Sequence, residues 1–223
     1  MSVRRGFRHF QLKCLGIISI VIAPLTLFVT MFIHDLPFLQ SISESATIAN
    51  KVAPILPYCL GALSLFALSY AITLAYDRLD RILTLIIFAG FTVVAMQMCV
   101  SPYVTSYNVG VLGLSQHSSG IIHNIAAIIS FAAMTLWVLI CFNKSNLPVN
   151  KQTPQKQLRN KLYTLLGLCM TASLSLFIFY HAGILPVAFP IVFVVETLVL
   201  TFGGTACLLK GGMFLKDKDE THR

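Results

Sequence analysis

Three residues of types that do chemistry, His123, Asn124 and Glu196, stand inside stretches that are otherwise apolar. Ionisable and strongly polar groups are expensive at membrane depth, so each is a functional candidate by default. Counted from the outer boundaries of their helices, His123 and Glu196 lie at matching depth, about five residues or roughly 7 Å inward. An imidazole and a carboxylate so placed can share a proton, coordinate a cation or hold a lipid headgroup. His123 and Glu196 are therefore the candidate acid/base pair. Joined on the same side by Ser119, Asn124, His181 and the Ser43-Glu44 segment, they form the candidate ligand-binding set. His34 and Asp35 read as interfacial, and the serines at 41–45 as a cap for a short surface helix. The alternative for the His–Glu pair is purely structural, because polar side chains also hydrogen-bond helices to one another in membranes. No metal site is assigned and the cofactor is left unknown.

The elements that would position these residues follow from composition. Of 223 residues 57% are hydrophobic and only 11% charged, with mean hydropathy +0.81. A soluble domain carries roughly 25% charged residues. Six apolar runs, near 14–33, 54–75, 82–100, 118–142, 162–181 and 191–209, are each long enough to cross roughly 30 Å of hydrocarbon. The expected fold is all-α: one polytopic domain over 1–223, a six-helix transmembrane bundle. Of the 16 lysines and arginines, all but Lys51 fall in one alternating set of terminal and loop segments. Positively charged loops stay cytoplasmic, so the bundle is expected N-in and C-in, multi-pass, in an inner (plasma) membrane. The net charge of +8 shows no basic stripe with interleaved aromatics, so membrane lipids are the expected partners and nucleic acid is not. The arginine pair Arg4-Arg5 precedes a run of about 20 apolar residues, longer than a signal-peptide core, and reads as a retained first helix.

The remaining features read as structure. The six cysteines form no CxxC pair and are expected as free thiols, with a Cys59–Cys99 bridge the alternative. The hairpin at 76–81 alternates acids and bases that pair locally, and the polar 143–161 stretch reads as a flexible connector. Pro24 is expected to kink the first helix. Ser119, His123, Ala127 and Ser130 share one helix face, Gly167, Thr171 and Ser175 another, and Gly203-Gly204 permits close backbone approach. Such stripes are packing seams, within the bundle or towards a homo- or hetero-oligomeric partner.

Several of these residues also carry a resemblance. Leu36-Pro37 with Ile42-Ser43-Glu44 and Ala53-Pro54, the run from Ser119 to Ala127 ending at Phe131, and Glu196 resemble a family of bacterial six-helix membrane proteins of undefined function. That family is itself similar, distantly, to the DRAM/Frag/Sfk proteins. The resemblance implies a six-helix bundle with polar residues near its outer face. Its eukaryotic members are linked to lipid-anchor remodelling, autophagy and phosphoinositide signalling. HExxH, Walker, GxSxG and paired in-helix haem histidines are absent, and His123 with His181 is a poor haem pair because both lie on one side. The expected function is the binding or handling of a lipid or small amphiphile in an outer-leaflet polar pocket. The alternatives are a membrane-embedded lipid hydrolase or acyltransferase using His123 and Glu196, and a small-solute or proton-coupled transporter titrating Glu196.

Overall fold

A computed structural model of the chain describes residues 2–28, 55–98, 108–109, 114–145, 148, 151–185 and 190–215. Six α-helices run through them: α1 Ser2–Phe28, α2 Ile55–Thr73, α3 Arg78–Met98, α4 Gln116–Leu136, α5 Pro154–His181 and α6 Ile191–Lys210. α4 runs directly into a π-helical turn, Trp137–Cys141, closed by the Phe142 amide donating to the Trp137 carbonyl at 3.3 Å. Two short strands, β1 Asn108–Val109 and β2 Leu114–Ser115, pair antiparallel in the register Asn108 to Ser115. Ser115 then caps α4, its hydroxyl accepting from the Ser118 amide.

Five of the helices are long and apolar enough to cross a membrane; the apolar stretch of α2, Tyr58–Thr73, is shorter. Large apolar side chains such as Leu65, Ile72, Ile125, Ile129, Leu165, Leu168 and Ile178 stand exposed around the bundle. A belt of exposed apolar side chains on this scale is more than a water-soluble monomer ordinarily shows. The chain is a multi-pass helical membrane protein.

Helix ends depart from the apolar runs wherever helix propensity and capping outlast hydropathy. α1 starts at Ser2, so the arginine-rich segment before the first apolar run is helical. α5 starts at Pro154, with Thr153 as N-cap accepting from the Lys156 amide and proline in the first turn. The polar connector expected over 143–161 is therefore helical from Pro154 onward. The expected hairpin at 76–81 is a turn followed by the first turn of α3. Asp77 caps that helix by accepting from the Asp80 amide at 2.9 Å. α1 passes through Pro24 to Phe28. Cys14, Cys59, Cys141, Cys169 and Cys207 are free thiols, while Cys99 lies outside the described residues.

Packing closes the helices into a ring. α1 packs on α2 and α6, α2 on α3, α3 on α4, and α5 on α6. α4 meets α5 less along its length than through the π turn. The buried stripe of α1, Gln11, Leu12, Leu15, Ser19 and Ile22, recurs every three to four residues and gives α1 a single inward face. Its crossing with α6 is set by two glycines. A Cβ on Gly16 would stand 2.6 Å from the Gly204 carbonyl oxygen, and one on Gly204 would stand 2.8 Å from the Gly16 oxygen. Both obstacles are backbone and cannot give way. The close approach expected at Gly203-Gly204 is thus used within the fold. Gly90 of α3 does the same against Ser130 of α4, whose hydroxyl a Cβ there would overlap.

Arg8, Asp77, Lys144 and Lys210 gather at one end of the ring, called here the basic end. The guanidinium of Arg8 donates to the Leu74 carbonyl, Lys210 to the Phe142 carbonyl, and His9 Nδ1 bonds the Gly211 carbonyl. These contacts bring the start of α1 together with the ends of α2, the π turn and α6. Successive helices therefore alternate in direction.

Candidate functional site

Because α4 and α5 converge at the π turn and lean less on each other beyond it, a crevice of about 70 Å3 opens between them, with α6 as its floor. Asn124 and Phe131 of α4, Leu174 and Phe177 of α5, and Val195 and Glu196 of α6 are among its walls. Asn124 and Glu196 are the two polar residues of the lining. Asn124 and its neighbour Ile128 are exposed, so the crevice opens sideways on the apolar belt. Glu196 sits in the second turn of α6 and is half-buried.

The other expected site residues distribute themselves around this crevice rather than in it. His123 is half-buried and does not line the crevice. One residue is about 100° of helix, and that step separates His123 from Asn124. Ser119 is buried in the first turn of α4. His181 is exposed; its Nδ1 lies 3.1 Å from the Phe177 carbonyl, which can only accept, so that nitrogen carries the proton. Its ring lies against Phe177 at 4.1 Å between centroids, behind the crevice wall. Ser43 and Glu44 lie outside the described residues. Among the described residues no group of three or more His, Cys, Asp and Glu side chains could hold a metal ion.

A second polar assembly, at the basic end, did not figure among the expected site residues. Asp80 is 2% exposed. Its Oδ2 accepts from the Tyr70 hydroxyl at 3.1 Å and from the Tyr76 amide at 2.6 Å, and its Oδ1 accepts from the Trp137 indole at 2.5 Å. Local charge pairing was expected for this residue; instead its carboxylate turns inward onto three neutral donors. A desolvated carboxylate is tolerable only when its oxygens are occupied in this way. An edge-to-face aromatic series continues from it, Tyr70 to Trp137 to Phe142 to Tyr163, with centroids 5.4, 4.6 and 5.4 Å apart. It ties α2, the π turn and α5 together.

Beside this series lies a cavity of about 180 Å3, lined by Arg8, Tyr70, Asp80, Phe142, Lys144 and Lys210 among others. At its rim Lys144 forms an ion pair with Asp77, each about one-third exposed. The Asp80 amide, and then Lys144, hold the Asp77 carboxyl below the usual aspartate range, and Asp77 in turn raises the Lys144 ammonium. Lys210 donates to the Phe142 carbonyl at 2.8 Å and lies over the rings of Phe142 and Tyr163, at 5.4 and 5.6 Å from their centroids.

A sequence signal for Asp80 exists. Asp80, Thr84, Ile87, Phe91 and Val94 fall on one helical stripe and are all buried, while Arg78, Arg81 and Ile82 point outward. Trp137 and Lys210 carry no such signal, because the π turn and the rings of two other elements place them.

No family model matches the chain, and no curated protein or solved structure matches it either.

Proposed function

We propose that this chain is a six-span bacterial inner-membrane protein, both termini cytoplasmic, that holds one chain of a lipid or small amphiphile in the crevice between α4 and α5. The crevice itself carries the reading: an apolar slot, open sideways to the lipid belt, with a carboxylate and an amide on its walls. Small-molecule pockets enclose roughly 300–1,000 Å3. At about 70 Å3 the slot fits a short length of acyl chain, not a whole headgroup. The polar part of the guest then lies beside Asn124 and Glu196, near the depth where a bilayer turns from hydrocarbon to headgroup. The clustering of Arg8, Lys144 and Lys210 at one end supports the orientation, and α2 supplies the sixth span by extension beyond Tyr58–Thr73.

The test is photolabelling of the reconstituted protein with a lipid carrying a photoactivatable group on its acyl chain. Labelling should concentrate on Phe131, Phe177 and Val195 and fall several-fold in Ala127→Trp, because Ala127 also lines the slot and the indole fills it. Labelling spread evenly over the exposed apolar belt, or unchanged in Ala127→Trp, refutes the proposal.

A further inference from the structure

We infer that the cavity at the basic end is an anion site that takes a phosphate-class group through Arg8 and Lys210, with Lys144 at its rim. The site is separate from the lipid crevice and does not depend on it.

The argument begins with where the charges go. A lysine at the end of a membrane helix ordinarily extends its stem and leaves its ammonium in water. Lys210 instead turns in, anchored by the Phe142 carbonyl and seated over two aromatic faces. That seat uses one of three N–H donors. Arg8 spends one guanidinium nitrogen on the Leu74 carbonyl and keeps the rest of its planar fork. Both line the same cavity.

The obvious counter-ion is already committed. Asp80 also lines the cavity, but both of its oxygens accept from Tyr70, Tyr76 and Trp137, and no ion pair joins it to Arg8, Lys144 or Lys210. Lys144 is balanced by Asp77. Two basic side chains, Arg8 and Lys210, thus share the cavity with one carboxylate whose oxygens are already taken, and an anion would complete the site. The donors left over match a tetrahedral oxyanion, since a guanidinium fork and an ammonium together recognise phosphate. The space agrees: a cavity of about 150 Å3 holds a benzene, so about 180 Å3 holds a phosphate group with a few waters. The group can come from a phospholipid headgroup or from soluble phosphate, and both present the same oxygens.

The experiment uses the full chain, purified in an uncharged detergent. Inorganic phosphate is titrated calorimetrically against a chloride control. Bound phosphatidylglycerol is counted by native mass spectrometry against phosphatidylcholine. Wild type should bind at least one of the two phosphate-class probes, and Arg8→Met and Lys210→Met should each weaken that binding about tenfold or more. Phosphate binding identifies a soluble anion as sufficient; phosphatidylglycerol binding without phosphate binding identifies the headgroup. Either supports the site. Wild type with no preference for phosphate over chloride and none for phosphatidylglycerol over phosphatidylcholine overturns it, as does binding that survives both substitutions. Should either methionine variant fail to fold, Arg8→Lys decides: it keeps the charge but removes the fork, so phosphate-class binding should fall while folding is retained, and unchanged binding refutes the assignment.

Discussion

The two ends of the bundle handle polar groups in opposite ways. At the basic end Asp80, Tyr70, Trp137, Lys210 and Arg8 are each tied to a carbonyl, a carboxylate or a ring from another part of the chain. In the crevice Asn124 of α4 and Glu196 of α6 stand at the edge of apolar walls. The first arrangement holds helices; the second leaves a polar rim around an apolar slot. Residue type alone does not distinguish them, since both contain a carboxylate inside an apolar helix.

Substitutions can break this contrast, and the largest effect belongs to Asp80→Ala. It strands two buried donors and the Tyr76 amide, so unfolding in detergent should be easier by ~3 kcal/mol or more. An equally stable variant would mean that Asp80 does not join α2, α3 and the π turn. Trp137→Phe removes the donor to Oδ1 while keeping most of the ring packing, and about 1–3 kcal/mol should be lost in the same assay. Glu196→Gln tests the other half of the comparison. Its unfolding midpoint should stay near that of wild type, while affinity for an amphiphile in the crevice drops about tenfold, equivalent to ~1.4 kcal/mol. A large loss of stability there would place Glu196 with Asp80 as a structural group.

The smallest effect is at the rim. The Asp77 carboxyl is held below its ordinary value, so its contribution is present above about pH 4 and is lost as pH falls through the folded value. Lys144 is raised, so its contribution is present below about pH 10.4 and is lost as pH rises through the folded value. Between those limits the pair should be flat. It is partly exposed and hence worth ~0.2–1 kcal/mol, and Asp77→Asn should remove that much from the acid limb of an unfolding-against-pH curve.

Much of the architecture is legible in the sequence, because apolar run length is what a bilayer selects. The ends of α1 and α5 are not, since a helix continues past its apolar stretch wherever capping and propensity allow, as at Thr153-Pro154. Counting depth pairs His123 with Glu196, whereas the crevice is lined by Glu196 and the next residue, Asn124. Depth cannot choose between His123 and Asn124, which differ by only about 1.5 Å of rise but by about 100° of rotation. Of the stripe expected to face inward on α4, Ser119 and Ser130 are buried and His123 and Ala127 half-buried. Asp80 was readable from its buried stripe, but its alternation with Arg78 and Arg81 masks that stripe. The seat of Lys210 belongs to Phe142 and Tyr163, which are distant in sequence.

The π turn at Trp137–Cys141 has one further consequence. Such a turn is an α-helix carrying one residue more than its hydrogen-bond ladder needs. Here it lies between the residues of α4 that line the crevice and the segment leading to Phe142 and Lys144. It thus works as a phase adjuster, setting the rotation of one half of a helix relative to the other. Deleting a single residue within it would restore an ordinary ladder and turn the two halves by about 100° against each other. The crevice and the basic cavity would no longer be in register, although no side chain in either had been changed.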